Sequence, residues 1–192
     1  VTRLAGAQVI YYDLKENQNW LPDFEKLNQM DLKKIKMMWV NYPHMPTGQN
    51  SNSDVFKKLI QFGQQHNILI CHDNPYSMVL NSESPQSILS YDSTKKYSLE
   101  LNSFSKSFNM AGWRIGMLLA HQEIVDTVIK VKSNVDSGMF RPLQDGAIEA
   151  LKNSQVWHQE RNQVYSDRRE LAYKIFDRLQ FSYSKSQVGM FV

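Results

Sequence analysis

Apolar runs of strand length alternate with stretches of helical period along the first two thirds of the chain. Residues 35–41, Ile-Lys-Met-Met-Trp-Val-Asn, form a near-continuous apolar run that the prolines and glycine of 43–48 terminate. Asn52 or Ser53 can cap a helix over 54–66, where Val55, Phe56, Leu59, Ile60 and Phe62 recur at helical spacing. Residues 68–73 make a second buried strand. Strand, helix and strand in such quick succession predict a βαβ unit, and with it a parallel sheet covered by helices. Upstream, 8–12 reads as a short strand, and Pro22 with Asp23 opens a short helix over 23–30. Downstream, 96–103 and 115–120 read as two more strands. Only 104–114 separate them, which is short for a parallel crossover containing a helix, so the last strand is expected to run antiparallel.

The rest reads as helical. Ile124, Val128, Val131 and Val135 line one face of a helix, 142–151 form another, and Ser154 can cap a long one carrying Trp157, Val164, Leu171, Ile175 and Leu179. Short apolar stretches at 181–183 and 190–192 would begin a further lobe. The expected fold is therefore α/β, a three-layer sandwich around a mostly parallel sheet with one antiparallel strand. The expected organisation is a large domain over 1–153, an interdomain helix over 154–180, and the start of a small domain over 181–192. Both ends read as cut, since Val1 is not an initiator Met and the chain stops within an apolar run.

Composition narrows the function classes. The 192 residues are 42% hydrophobic and 11% aromatic, enough for a real core. The net charge of +3 divides into +1 over residues 1–96 (10 basic, 9 acidic) and +2 over 97–192 (12 basic, 10 acidic). Neither half is a basic arm, so nucleic acid and anionic membrane are poor partners. The single Cys71 rules out an internal disulfide framework and a Cys-rich zinc site. His66 and His72 are too far apart for a helical metal pair, and no metal is expected. No apolar stretch reaches transmembrane length and no signal-peptide pattern opens the chain, so the compartment reads as cytoplasmic.

Polar segments at 41–48, 73–76 and 103–106 each follow directly on a predicted strand. Ligands of open α/β sheets bind beyond the carboxyl ends of the strands, so three such loops point to one crevice. Nucleotide fingerprints, zinc-protease motifs and the nucleophile elbow are all missing. Lys106 remains, among hydroxyls and aromatics in Ser103-Phe104-Ser105-Lys106-Ser107-Phe108-Asn109-Met110-Ala111-Gly112-Trp113-Arg114. A desolvated lysine can condense with an aldehyde. Serine hydroxyls and an arginine fork suit a phosphate, and a strand-end carboxylate, Asp73, could keep a pyridine nitrogen protonated. Together these parts describe a pyridoxal 5′-phosphate site. Singly, each residue has an ordinary reading: Lys106 on the surface, Asp73 capping a turn, Tyr76 packing, Ser103 and Ser105 satisfying turn amides, Arg114 pairing with a structural carboxylate. Tyr165, Arg168 and Arg169 read as a solvated or interdomain face. Trp39, Trp113 and Trp157 read as core.

The order and spacing of Asn41-Tyr42-Pro43-His44-Met45-Pro46-Thr47-Gly48, His72-Asp73-Asn74-Pro75-Tyr76 and the block from Ser103 to Gly116 resemble the successive signatures of class I/II aminotransferases of pyridoxal-phosphate fold type I. The resemblance implies that Lys106 forms the Schiff base, that Asp73 pairs with the ring nitrogen, and that Tyr76 bonds the ring hydroxyl. It also implies that Ser103, Ser105 and Arg114 hold the phosphate, that amino acids and 2-oxo acids are the substrates, and that the enzyme is a homodimer. Met45 departs from the family, which has an asparagine there to hydrogen-bond the ring oxygen; a thioether cannot donate. Tyr76 would then act alone, or Asn41 or His44 would compensate. The family's glycine-rich phosphate turn and ring-stacking aromatic would precede Val1 and its substrate-carboxylate arginine would follow Val192, so this chain by itself is expected to be inactive. The function expected is a ping-pong aminotransferase. The alternatives are a carbon–sulfur β-lyase on the same cofactor, and a non-catalytic remnant or regulatory domain.

Overall fold

The computed structural model describes residues 2–192; Val1, where the expected large domain begins, lies outside them. The chain resolves into two compact units, Val1–Lys34 and Ile35–Val192.

In the first unit a 3-10 turn, Glu16–Gln18, precedes a short helix α1, Phe24–Asn28. Asp23 organises both. Its Oδ1 accepts the Lys26 amide at 3.0 Å as the helix cap, and its Oδ2 accepts the Gln18 side-chain amide at 3.0 Å. Residues 8–12, expected as a strand, belong to no ladder, and Val9, Ile10 and Tyr11 are exposed. β-branched and aromatic residues supply the propensity for a strand, and a strand also needs a neighbour to take its amides.

The second unit holds a four-stranded sheet in the order β1 (Met37–Asn41), β2 (Leu69–Asp73), β3 (Ser98–Ser103), β4 (Gly116–Ala120). The first three strands run parallel and β4 runs antiparallel to β3, as the short connection requires. The helices are α2 (Ser53–His66), α3 (Phe104–Ser107), α4 (Gln122–Val135), α5 (Arg141–Ala150) and α6 (Gln155–Arg178). Their starts are written in the sequence. The Asn52 side chain accepts the Val55 amide at 2.9 Å, Ser154 accepts the Trp157 amide at 3.3 Å, and α5 carries a proline in its first turn. Neither 181–183 nor 190–192 forms a strand.

Strand register decides which side chains meet. Asn41 lies level with Asp73, and Asp73 with Leu101, so they share one face of the sheet. The opposite face carries Met38, Val40, Ile70, His72, Ser98 and Glu100, all buried. Helix α2 covers that face: its Phe56 meets the His72 ring edge-on with centroids 5.0 Å apart. Phe56 and Leu59 are wholly buried, each contributing about 1.5–3 kcal/mol of apolar transfer. On the Asp73 face the central strands are also covered, with Cys71 and Leu99 buried, whereas Trp39 on β1 is 52% exposed. Trp39 and Trp113 are thus not core residues. A second cluster of Phe104, Met110, Ile115 and Ala147 joins the chain after β3 to α5.

Candidate active site

The three strand-end loops meet at one edge and are bonded together. Asn41 donates its side-chain amide to the Asp73 carbonyl at 2.8 Å, while its Oδ1 accepts the Met45 amide at 2.8 Å. The Asn74 amide donates to the Leu101 carbonyl at 2.8 Å, and the Ser107 hydroxyl donates to the Pro75 carbonyl at 3.3 Å. The loop bearing Asp73 and Tyr76 is therefore fixed against both the loop after β1 and the segment bearing Lys106. The Phe104 amide also donates to the Ile115 carbonyl at 3.2 Å, which sets Arg114 beside the start of α3.

The chemistry-bearing groups on these loops have few protein partners. Among the described residues the Lys106 amine, the Asp73 carboxylate, the Tyr76 hydroxyl and the Ser105 hydroxyl make no hydrogen bond or ion pair. Asp73 is exposed at the end of β2, and its partial desolvation there raises the carboxyl above its usual value, with His72 opposing. Burial and then the Asp73 charge raise the Tyr76 phenol above its usual value. Ser103 is partly committed, since its hydroxyl oxygen caps α3 by accepting the Ser105 amide at 3.2 Å. Arg114 is exposed, sits at a left-handed φ of 53°, and donates from Nη1 to the Ala111 carbonyl at 2.9 Å. Amine, carboxylate, phenol, hydroxyls and guanidinium are the donor set that an aldehyde, a pyridine nitrogen, a ring hydroxyl and a phosphate need, so the residues present fit pyridoxal phosphate.

The departure at Met45 has a packing context. Its thioether lies against Gly189, which also borders Tyr76; a Cβ on Gly189 would collide with the Met45 methyl. Asn41 spends its side chain on two loop bonds, and His44 Nδ1 lies 2.7 Å from the Thr47 hydroxyl. Both candidates for compensating Met45 thus already have partners on these loops.

Several contributors escaped the sequence reading. Glu100, 4% exposed, lies behind the site and accepts from His72 Nδ1 (3.2 Å), Ser87 Oγ (2.7 Å), the Ile88 amide (3.1 Å), Asn74 Nδ2 (3.2 Å) and Asn102 Nδ2 (2.8 Å). Burial alone would raise its carboxyl; the His72 bond and charge, with Ser87 and Asn102, bring it down to about 2. His72 Nε2 donates to the Tyr42 carbonyl at 2.8 Å, tying the network to the first loop. The chain near its end also reaches the site. The Val188 amide donates to the Gly48 carbonyl at 2.8 Å and the Gly189 amide to the Val79 carbonyl at 3.0 Å. Gly48 adopts φ +69°, and Gln187 occupies the space a side chain there would need. Two residues of the face read as solvated or interdomain make specific bonds: Tyr165 donates to Asn109 Oδ1 at 2.8 Å, and Arg169 Nη1 to the Gln187 carbonyl at 3.1 Å.

A mixed, mostly parallel sheet that gathers these groups at its strand ends is the fold type I architecture of pyridoxal-phosphate enzymes. Over residues 1–192 the chain matches the family Aminotransferase class I and II, and it belongs to that family, whose cofactor is pyridoxal 5′-phosphate. It is 42% identical over 170 residues to an LL-diaminopimelate aminotransferase of Dehalococcoides mccartyi, covering 88% of this chain and 44% of that protein. It is 36% identical over 192 residues to LL-diaminopimelate aminotransferase 2 of Trichormus variabilis, covering all of this chain and 49% of that one. Among solved structures, apo-BacF from Bacillus subtilis superposes with a TM-score of 0.92 at 32% identity, covering 98% of this chain and 48% of that one. An aminotransferase from Staphylococcus aureus gives 0.86 at 27% identity, covering 97% and 49%. The chain therefore spans about half the length of the relatives it matches.

Proposed function

We propose that this chain is the cofactor-binding part of a pyridoxal-phosphate-dependent aminotransferase that moves an amino group from an L-amino acid to a 2-oxo acid. The observation that carries this reading is the set of unengaged groups, Lys106, Asp73, Tyr76 and Ser105, on loops tied together at one sheet edge. Bound pyridoxal phosphate supplies an electron sink for charge developing at the substrate Cα. Lys106 Nζ would be the amine that binds the cofactor's aldehyde carbon and, once displaced, the base that takes the substrate Cα proton and returns it. Asp73 would pair with the ring nitrogen and keep it protonated; a cation there would also favour the ionised form of a carboxyl that desolvation otherwise raises. Tyr76 would donate its phenol hydrogen to the ring oxygen. Ser103, Ser105 and Arg114 would hold the phosphate, the serines through hydroxyl hydrogens and the arginine through its fork. Donor and acceptor use the same site in turn, which gives ping-pong kinetics.

In this reading residues 1–153 belong to the large domain, 154–180 join it to the small one, and 181–192 begin the latter. A homodimer is supported by α4 and the segment after it, where Val131, Val135 (78% exposed) and Phe140 (70% exposed) turn apolar surface outward. No helix among the described residues is long and apolar enough to cross a membrane; with a single, buried cysteine, we read the compartment as cytoplasmic.

The relatives' names make LL-diaminopimelate the first donor to try. Full-length protein loaded with pyridoxal phosphate is incubated with LL-diaminopimelate and 2-oxoglutarate, and glutamate is measured. Glutamate formed only when both substrates are present supports the reading. If no panel of amino acids yields an amino-transfer product, the aminotransferase reading is wrong.

A further inference from the structure

We propose that Arg161 is a positioning residue that fixes the separation between Lys106 and the pair Asp73 and Tyr76; the proposal rests on reading Lys106 as the cofactor lysine. Arg161 lies on α6, 5% exposed, and has no ion pair among the described residues. Its guanidinium instead spans two carbonyls on different loops. Nη1 donates to the Ser107 carbonyl, next to Lys106, and Nη2 donates to the Met78 carbonyl, two residues beyond Tyr76. Nη1 also donates to His158 Nδ1 at 3.1 Å and Nη2 to Asn162 Oδ1 at 3.0 Å, while the Trp157 ring lies 5.5 Å from the guanidinium carbon. Its Nε is buried with no partner.

A cation held in the protein without a carboxylate is costly, and packing alone would be better served by an apolar side chain at this position. What the guanidinium offers is geometry. Its planar fork holds two acceptors at a set distance, which a lysine's point charge cannot do. Asn162, the next residue on α6, braces the same loop: it donates to the Met78 carbonyl at 3.2 Å and accepts the Leu80 amide at 3.2 Å. Apart from Arg161, the Ser107 hydroxyl on the Pro75 carbonyl, at 3.3 Å, is a bond joining these two loops directly. Arg161 therefore acts on the distance from Lys106 to the ring-binding residues without touching the reacting atoms.

The test compares full-length protein with its Arg161→Lys and Arg161→Gln variants and with Ile60→Val, a buried packing change on α2. In cofactor-free protein, exchange of the Val79 amide, which donates to the Tyr76 carbonyl at 2.8 Å, and of the Met110 amide, which donates to the Phe104 carbonyl at 3.3 Å, should accelerate about tenfold in both Arg161 variants and stay unchanged in Ile60→Val. With pyridoxal phosphate added, borohydride should still label Lys106 in every protein. Half-saturation should need about tenfold more cofactor in the Arg161 variants, and the midpoint of the visible band's pH titration should shift. An Arg161→Lys protein matching the unsubstituted one in exchange and midpoint would overturn the proposal, as would Ile60→Val moving both equally. Absence of label on Lys106 in unsubstituted protein would overturn the lysine reading instead, and the exchange rates would still report whether Arg161 braces the loops.

Discussion

His72 and Asp73 are neighbours in β2, yet they belong to opposite kinds of polar environment. His72 faces α2 and joins Glu100, Asn74, Ser87 and Asn102 in a network where every Glu100 oxygen has a donor. Asp73 faces the loop edge with Lys106, Tyr76 and Ser105, whose polar ends have no protein partner among the described residues. A saturated polar cluster holds a fold in one arrangement, because any alternative strands a buried charge. An unsaturated one keeps its hydrogen-bonding capacity for a ligand. The alternation of a single strand separates the two, so substitutions on each side should fail in different ways.

The largest expected effect is at Lys106. Lys106→Ala should lower kcat in full-length protein by about a thousandfold or more, from loss of the base and of the amine that holds the cofactor. Its urea midpoint should stay close to the parent's, since the removed amine has no partner. Loss of folding together with activity would erase the distinction between the regions. Glu100→Ala should do the reverse and destabilise by about 3–5 kcal/mol in urea unfolding, because four side-chain or backbone donors and His72 lose their acceptor.

The same network gives a pH dependence. Glu100 titrates at about 2 in the folded chain, below its unfolded value, so its contribution is complete above the unfolded pKa. That contribution should fade as pH drops from about 4.5 toward 2. Urea midpoints across that range, compared with Glu100→Gln, should show the parent losing its advantage there; an advantage that persists to pH 2 contradicts the network's role. Smaller again is Met45→Asn. Restoring a donor near the ring oxygen should move the pH midpoint of the cofactor's visible band downward by up to about one unit. A midpoint that does not fall would show that Tyr76 or a loop group already supplies that bond. Ser103→Ala should cost about 1 kcal/mol of stability through the lost α3 cap, and should also weaken cofactor binding through the lost hydroxyl.

Much of the sheet was legible because buried parallel strands are runs of apolar residues bounded by turn formers. The runs at 35–41 and 68–73 became Met37–Asn41 and Leu69–Asp73, trimmed where pairing begins. The antiparallel β4 followed from the length of the connection alone. The segment 8–12 forms no strand because a strand needs a paired neighbour, which its β-branched and aromatic residues alone do not reveal. The site loops were legible by their place after strands and by familiar motifs. The residues that hold them were not. Glu100 collects donors from positions 72 to 102, and Arg161 reaches carbonyls 54 and 83 residues away, contacts that exist only once the sheet and α6 are assembled. For Tyr165 and Arg169 helical spacing left a solvated and an interdomain face both open, and only the assembled chain shows which distant loops they meet.

The measurement closest to the central claim is chemical trapping. Full-length protein is mixed with pyridoxal phosphate, its visible absorption is recorded, borohydride is added, and the labelled peptide is sequenced by mass spectrometry. The account predicts a visible band and a stable pyridoxyl label on Lys106, with band and label both lost in Lys106→Ala. A label on another lysine, or a band that survives in Lys106→Ala, would contradict it.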